Sequence, residues 1–187
     1  KPGRRVERSP ALKMRPLICA GHHLGATCIV PPEAGIGVYA NRYDLPSGEL
    51  WYLELWMIRG LTDVSAVGRI PSLRSLFLQA LRQVEVLSDF SRATSLRRVR
   101  LETMKGLRDL SPLATAPALE GVELIDMRHL QPADLAPLAG LPNLKEVTPG
   151  LGSRRKNEAA AALLGLPPVR TPFDWAADDA ADPVGDR

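Results

Sequence analysis

The chain of 187 residues carries 24 Lys and Arg against 21 Asp and Glu, a formal net charge of +3, and 45% of it is hydrophobic. This composition predicts a folded domain with a hydrophobic core and excludes a chain that is disordered throughout. No apolar run approaches the ~18 residues that a membrane-spanning helix needs, so no membrane span is expected.

Residues 1–13 are predicted to form a flexible basic tail. Over residues 1–15, six Lys and Arg face only Glu7, a net charge of +5. A basic tail can contact nucleic acid or anionic lipid, but this one has no recognisable motif and almost no aromatic residues, so nucleic acid is not expected as a partner. No apolar stretch follows the basic residues, so no secretory signal is expected and we predict a cytoplasmic location.

Residues 14–49 are predicted to form an N-terminal cap, with short strands around 28–30 and 37–40. This segment contains the two cysteines of the chain. Two cysteines do not make a disulfide framework, so reduced thiols are expected in a cytoplasmic protein.

A cluster of metal-binding residue types lies in the predicted cap: Cys19, His22, His23 and Cys28. Cysteine and histidine at short spacing can bind zinc, although this spacing matches no known zinc finger. Buried thiols with cap histidines, or a redox pair, are the alternatives. No bound metal or cofactor is expected.

A pattern of apolar residues repeats every 23 residues between residues 50 and 148. It is clearest in four segments with alternating apolar residues, at 53–55, 76–78, 99–101 and 122–124. The alternation predicts short strands, and the apolar spacing of three that follows each segment predicts a helical or 3₁₀ turn. About four stacked strand-and-turn units are therefore predicted.

Serines recur at the same step and are predicted to be N-caps of the turns: Ser65, Ser88 and Ser111. The fourth unit differs because two extra residues fall within 131–134. Asp134 is predicted to replace the serine as the N-cap there.

The pattern resembles the leucine-rich-repeat family, and Asp109–Ala114 resembles its bacterial, internalin-like subtype. The resemblance covers residues 50–148. It implies an α/β solenoid with a concave parallel β-sheet and convex short helices or 3₁₀ turns, used as a protein-binding scaffold. The family usually has Asn three residues after the second strand leucine, whereas this chain has Ile58, Leu81, Met104 and Met127. Apolar packing is therefore expected to replace an amide ladder in the turns.

Residues 149–175 are predicted to form a C-terminal cap, with a helix that Ser153 opens and Gly165 ends, followed by a fold-back. The segment Gly150–Lys156 combines glycines with three cations at a helix start, which can hold a phosphate, although a solenoid end needs the same residues. An acidic disordered tail is predicted at 176–187. Five aspartates face one arginine from residue 174 onward, a net charge of −4.

The strand alternation also predicts which side chains lie on the face opposite the core. The candidate partner-binding residues are Tyr52, Glu54, Trp56, Phe77, Gln79, Arg98, Arg100, Glu102 and Glu123. Exposed aromatics are typical anchors of interfaces, and the alternative is that the N-terminal cap covers them. Arg100 and Glu123 can pair with each other. Arg98 lies between Ser75 and Gly121, which form no ion pair, so it is the candidate for a partner's carboxylate.

Nothing in the chain predicts catalysis. Glu54 and Glu123 are expected about 14 Å apart, from three strand spacings, which is too far for a glycosidase pair. The expected function is a monomeric protein- or peptide-binding module without catalysis. The alternatives are a metal-binding or nucleotide-handling enzyme that uses cap residues, and the repeat segment of a larger enzyme.

Overall fold

The computed structural model describes residues 39–44 and 50–166 of an α/β protein. Its sheet has six strands in chain order: β1 (Tyr39–Asp44), β2 (Leu50–Trp56), β3 (Ser75–Gln79), β4 (Arg98–Glu102), β5 (Gly121–Ile125) and β6 (Glu146–Thr148). β2 to β6 are parallel, and β1 pairs antiparallel with β2. The helices are α1 (Arg154–Leu164) and 3₁₀ helices at Val67–Arg69, Ser111–Thr115 and Pro132–Leu138. Within these residues, no helix has both the length and the apolar character needed to cross a membrane.

The hydrophobic core lies on one face of the sheet, which we call the packed face. Its strand residues form two apolar columns, Leu53–Leu76–Val99–Val122–Val147 and Leu55–Leu78–Leu101–Leu124. The segments that connect the parallel strands bury residues in the same core, among them Phe90, Leu113 and Leu138. The 23-residue period of the sequence thus corresponds to packing in the structure, because residues one period apart pack against each other.

Each strand from β2 to β5 is followed directly by a residue with left-handed backbone, at the same step along the chain: Met57 (φ 56°), Ala80 (52°), Thr103 (53°) and Asp126 (52°). The backbone N–H groups of the first three donate to the next strand at 2.9–3.0 Å, which extends the ladder by one residue. The following side chains of Leu81, Met104 and Met127 are fully buried. Apolar packing is therefore confirmed for three of the four predicted positions, whereas Ile58 after Met57 is only half-buried.

The serines do not cap the turns as the sequence predicts. The 3₁₀ helices at 67–69 and 111–115 have Ala66 and Leu110 as N-caps, without a side-chain bond. Ser65 and Ser111 instead donate backbone N–H groups to the carboxylates of Asp63 and Asp109, at 2.7 and 2.8 Å. An aspartate two residues earlier accepts this bond readily, so the acid rather than the hydroxyl orders the turn.

Two other cap positions also differ from expectation. The buried Ser88 hydroxyl donates to the carbonyl of Val64, one unit earlier, at 2.8 Å. The N-cap of the fourth unit's 3₁₀ helix is Gln131, not Asp134. Asp134 is the third residue of that helix, and its carboxylate accepts from the backbone N–H of Gln131 at 2.7 Å. The prediction of two extra residues in this unit is confirmed, because β5 pairs with β6 at a step of 25 (Gly121 with Glu146) instead of 23.

Helix α1 begins after Ser153, whose hydroxyl accepts from the Lys156 N–H at 3.3 Å. It ends at Gly165, which adopts φ 65°. These are the start and stop residues expected from the sequence. The predicted tails at 1–13 and 176–187, most of the N-terminal cap and the predicted fold-back at 173–175 lie outside the described residues.

Candidate functional site

The second face of the sheet, which we call the outer face, assembles the predicted partner-binding residues in three columns. Strand pairing gives Tyr52–Ser75–Arg98–Gly121–Glu146, Glu54–Phe77–Arg100–Glu123–Thr148 and Trp56–Gln79–Glu102–Ile125. Neighbours in a column lie about 4.8 Å apart at the backbone. The site is therefore a continuous surface of side chains from parallel strands, and its membership matches the expected alternation.

The aromatic residues of the outer face are less exposed than the sequence predicts. Tyr52 and Trp56 on β2 are half-buried. Phe77 is only 9% exposed, so the prediction that it is an exposed anchor is wrong. The Arg100 guanidinium carbon lies 5.3 Å from the centre of the Phe77 ring. The long side chain of the next strand thus covers the ring in a cation–π contact.

The charged residues of the outer face are linked across neighbouring strands. Arg100 donates from Nε to Glu123 Oε2 at 2.6 Å, which is the expected pairing. These two side chains are 21% and 7% exposed, so the pair is largely desolvated. Gln79 donates from Nε2 to Glu102 Oε1 at 2.6 Å. Because both links hold the side chains in place, much of the outer face is ordered before any ligand binds.

Arg98 lies between two small buried residues of its column, Ser75 and Gly121. Its own side chain is half-buried and takes part in interactions within the chain. Arg98 is therefore not assumed to be free for a partner's carboxylate. The role of Arg98 in holding such a carboxylate therefore stays a prediction.

The two carboxylates that were weighed as a catalytic pair lie far apart. Glu54 and Glu123 are separated by three strand spacings, about 14 Å, as expected from the pairing. Within residues 39–44 and 50–166, no group of three or more His, Cys, Asp or Glu side chains is placed to hold a metal ion. The candidate zinc ligands Cys19, His22, His23 and Cys28 lie outside these ranges.

The glycines before α1 have a packing role. A Cβ on Gly150 would lie 2.1 Å from the carbonyl oxygen of Leu124, and one on Gly152 would lie 2.5 Å from the Arg128 side chain. The Lys156 ammonium donates to the carbonyls of Arg128 and Leu130, both at 3.0 Å. Close packing against Leu124 and Arg128 thus accounts for the two glycines, and the carbonyl contacts account for Lys156. Phosphate binding at this helix start stays a prediction.

A second set of residues was missed by the sequence reasoning, which did not look for recurring charges in the turns. Two residues beyond each left-handed position the chain carries an exposed cation: Arg59, Arg82, Lys105 and Arg128. We call this set the basic rim. The same step of 23 that marks the leucines marks these cations, so a search for charged columns would have found them.

No protein-family model, curated protein or solved structure matches this chain. Its function is therefore inferred from the geometry of the outer face and the basic rim.

Proposed function

We propose that this protein is a leucine-rich-repeat solenoid that binds a protein or peptide on the outer face of its sheet, without catalysis of its own. The observation that carries the proposal is that, in the described part of the chain, the connections between the parallel strands and α1 contribute to one core on the packed face. Parallel sheets are usually covered on both faces. A parallel sheet whose hydrophobic core, in the described residues, lies on one face is what a solenoid with a concave recognition surface requires, although Phe77 and Glu123 of the outer face are also buried.

The repeated backbone supports the solenoid. Left-handed residues recur at a step of 23, and a buried apolar residue follows three of them, Ala80, Thr103 and Asp126. Each unit thus has the same bend at the same place, so each of these units can stack on the next in the same way. Stacked units of this kind bury a core that no single unit can bury alone.

The composition of the outer face supports binding rather than a purely structural role. Its columns combine the half-buried aromatics Tyr52 and Trp56 with charged groups that are already linked. Aromatic residues near ordered polar groups are typical of interface centres. Ordered side chains also lose less conformational entropy when a partner binds. The part of the outer face around Tyr52 and Trp56 on β2 is the centre of the proposed site.

The test is selection of binding peptides from a random display library on the full chain, followed by affinity measurements on variants. We expect Trp56→Ala to weaken a selected peptide at least tenfold, about 1.4 kcal/mol, because the truncation removes the contact area of an aromatic anchor. Gln79→Ala combined with Glu102→Ala is a second variant of the same face. Val86→Ala is the control, since Val86 is 63% exposed and lies on a connection between strands.

Thermal melting followed by circular dichroism shows whether each variant is folded. Peptides that bind wild type and the Val86→Ala variant equally but lose affinity for both outer-face variants support the proposal. Selected peptides that are insensitive to both outer-face variants would contradict it, as would a library that yields no binder.

A further inference from the structure

The basic rim is a column of like charges at the end of the sheet where the parallel strands finish. The backbone bonds from Met57, Ala80 and Thr103 hold successive units in register up to this point. The rim residues follow two positions later, so their backbones are about 4.8 Å apart and the four span about 14 Å. Arg59, Arg82, Lys105 and Arg128 are all exposed.

The fold does not explain this column. Like charges on directly adjacent positions repel each other, so a column of cations opposes stacking of the units. The Asp126 carboxylate offsets the charge of one rim residue, because it accepts a hydrogen bond from Arg128 Nε at 2.5 Å. The Arg128 side chain nevertheless remains 77% exposed. Lys156 adds a further cation, because its ammonium donates to the carbonyl of Arg128. A surface that brings several cations together at a cost to folding is suited to a polyanion.

We propose that the basic rim binds the phosphate backbone of a nucleic-acid duplex, without reading its sequence. One strand of a duplex rises about 3.4 Å per nucleotide, so a column of about 14 Å faces roughly four phosphates. Consecutive phosphates of one strand are farther apart through space than this axial rise, because the strand winds around the helix, and the long arginine and lysine side chains can adjust to the mismatch with the column. The rim is separate from the outer face, so this binding is additional to the proposed peptide site.

The residues around the rim favour a duplex over other polyanions. The described rim segments 57–60, 80–83, 103–106 and 126–129 contain no Phe, Tyr or Trp. Single-stranded nucleic acid is held largely by stacking of bases on such rings. An acidic protein partner is usually held by several aromatic or apolar anchors, and among these segments Met57 alone is an exposed large hydrophobic side chain. Contacts to phosphates alone are sufficient for sequence-independent binding of a duplex.

The experiment measures anisotropy of a fluorescein-labelled 20-base-pair DNA duplex with the full chain between 50 and 200 mM NaCl. Four phosphate contacts predict a slope of log K against log salt of about −3.6, which weakens binding roughly 100-fold over this range. The variant R82Q/K105Q removes two contacts, so we expect the slope to fall in magnitude by about 1.8 and the affinity at 50 mM to drop at least tenfold.

The matched control is R69Q/R92Q, which removes the same charge from two exposed arginines on the connections between strands. We expect it to change affinity less than twofold. Binding that R82Q/K105Q and R69Q/R92Q weaken equally would overturn the proposal, because it would reflect net charge only. Retained binding by R82Q/K105Q would also overturn it and assign the duplex to the basic residues at 1–15 instead.

Two further probes separate the partner classes. A 20-residue poly-glutamate peptide that competes as well as the duplex would point to an acidic protein and overturn the nucleic-acid proposal. A labelled 20-nucleotide oligo-dT that binds more tightly than the duplex would overturn the duplex form of it. The expected result is that the duplex binds more tightly than either. Since the Trp56→Ala variant leaves the rim intact, it should bind the duplex like wild type, whether or not the peptide site is real.

Discussion

The two faces of one sheet differ in how their residues vary from unit to unit. On the packed face a column keeps one character, as in Leu55, Leu78, Leu101 and Leu124. On the outer face the adjacent column changes from Glu54 to Phe77, Arg100 and Glu123. A constant column serves stacking, because each unit must bury the same surface against the next. A varied column shows that the units do not need the same residue at these positions in order to stack, so its residues can differ from strand to strand.

The largest expected effect on stability comes from a packed-face residue, and it is compared with the effect of an outer-face residue on the adjacent strand. Leu101→Ala should lower the free energy of unfolding by about 2–5 kcal/mol, because Leu101 is fully buried and its loss leaves a cavity. Ile125→Ala on the outer face should cost less than about 1.5 kcal/mol, because Ile125 is only half-buried. Urea denaturation measures both. Equal losses would show that both faces of the sheet are core.

The second prediction concerns the ion pair that the outer face holds away from water. Arg100→Met should destabilise the protein by about 2–4 kcal/mol, because it leaves the Glu123 carboxylate buried without this partner. The double variant Arg100→Met with Glu123→Met should recover most of this loss, since it removes both charges. A double-mutant cycle of unfolding free energies from urea denaturation measures the coupling between Arg100 and Glu123. Additive losses would show that the pair contributes nothing beyond its two separate residues.

The period of the repeat made the columns of both faces predictable, because strand alternation and a constant step assign each residue to a face. Exposure on the outer face was not predictable in the same way. Phe77 is buried because Arg100, one strand away, lies over its ring. That contact depends on a side-chain conformation rather than on spacing.

The hydrogen bonds in the turns also could not be predicted from spacing. Ser65 and Ser111 occupy the expected positions, yet the aspartates before them accept the bonds. Both residue types suit a turn, so spacing alone could not decide which one accepts. The left-handed backbone was also hidden, because Met57, Ala80 and Thr103 are not the residue types that usually adopt it.

The third prediction concerns the left-handed backbone conformation of Thr103. Thr103→Asn should raise the free energy of unfolding by about 0.5–1 kcal/mol, because a β-branched residue at φ 53° is strained and asparagine tolerates this region. Thermal melting measures the change. Thr94→Asn is the control, since Thr94 is exposed and does not have a positive φ. A stabilisation as large at Thr94 would show that the backbone conformation is not the cause.

The smallest expected effect tests the aspartates that order the turns. The pKa of Asp109 lies below its ordinary value of 3.8, because the carboxylate accepts from the backbone N–H of Ser111 and from its hydroxyl. A lowered folded pKa means that the charged form stabilises the fold at neutral pH. This contribution is complete above the unfolded pKa and is lost as pH falls through the lower folded value.

Asp109→Asn should therefore be slightly less stable than wild type at pH 7, since asparagine keeps the acceptor but not the charge. The difference in melting temperature should shrink as pH falls from 5 to 2, as wild type loses its own carboxylate charge. Asp89→Asn should behave in the same way, because Ser91 donates to Asp89 and lowers its pKa. Gln83→Asn is an exposed neutral change whose effect should not vary with pH. A constant difference for Asp109→Asn across this range would mean that the charge of the aspartate does not stabilise the turn.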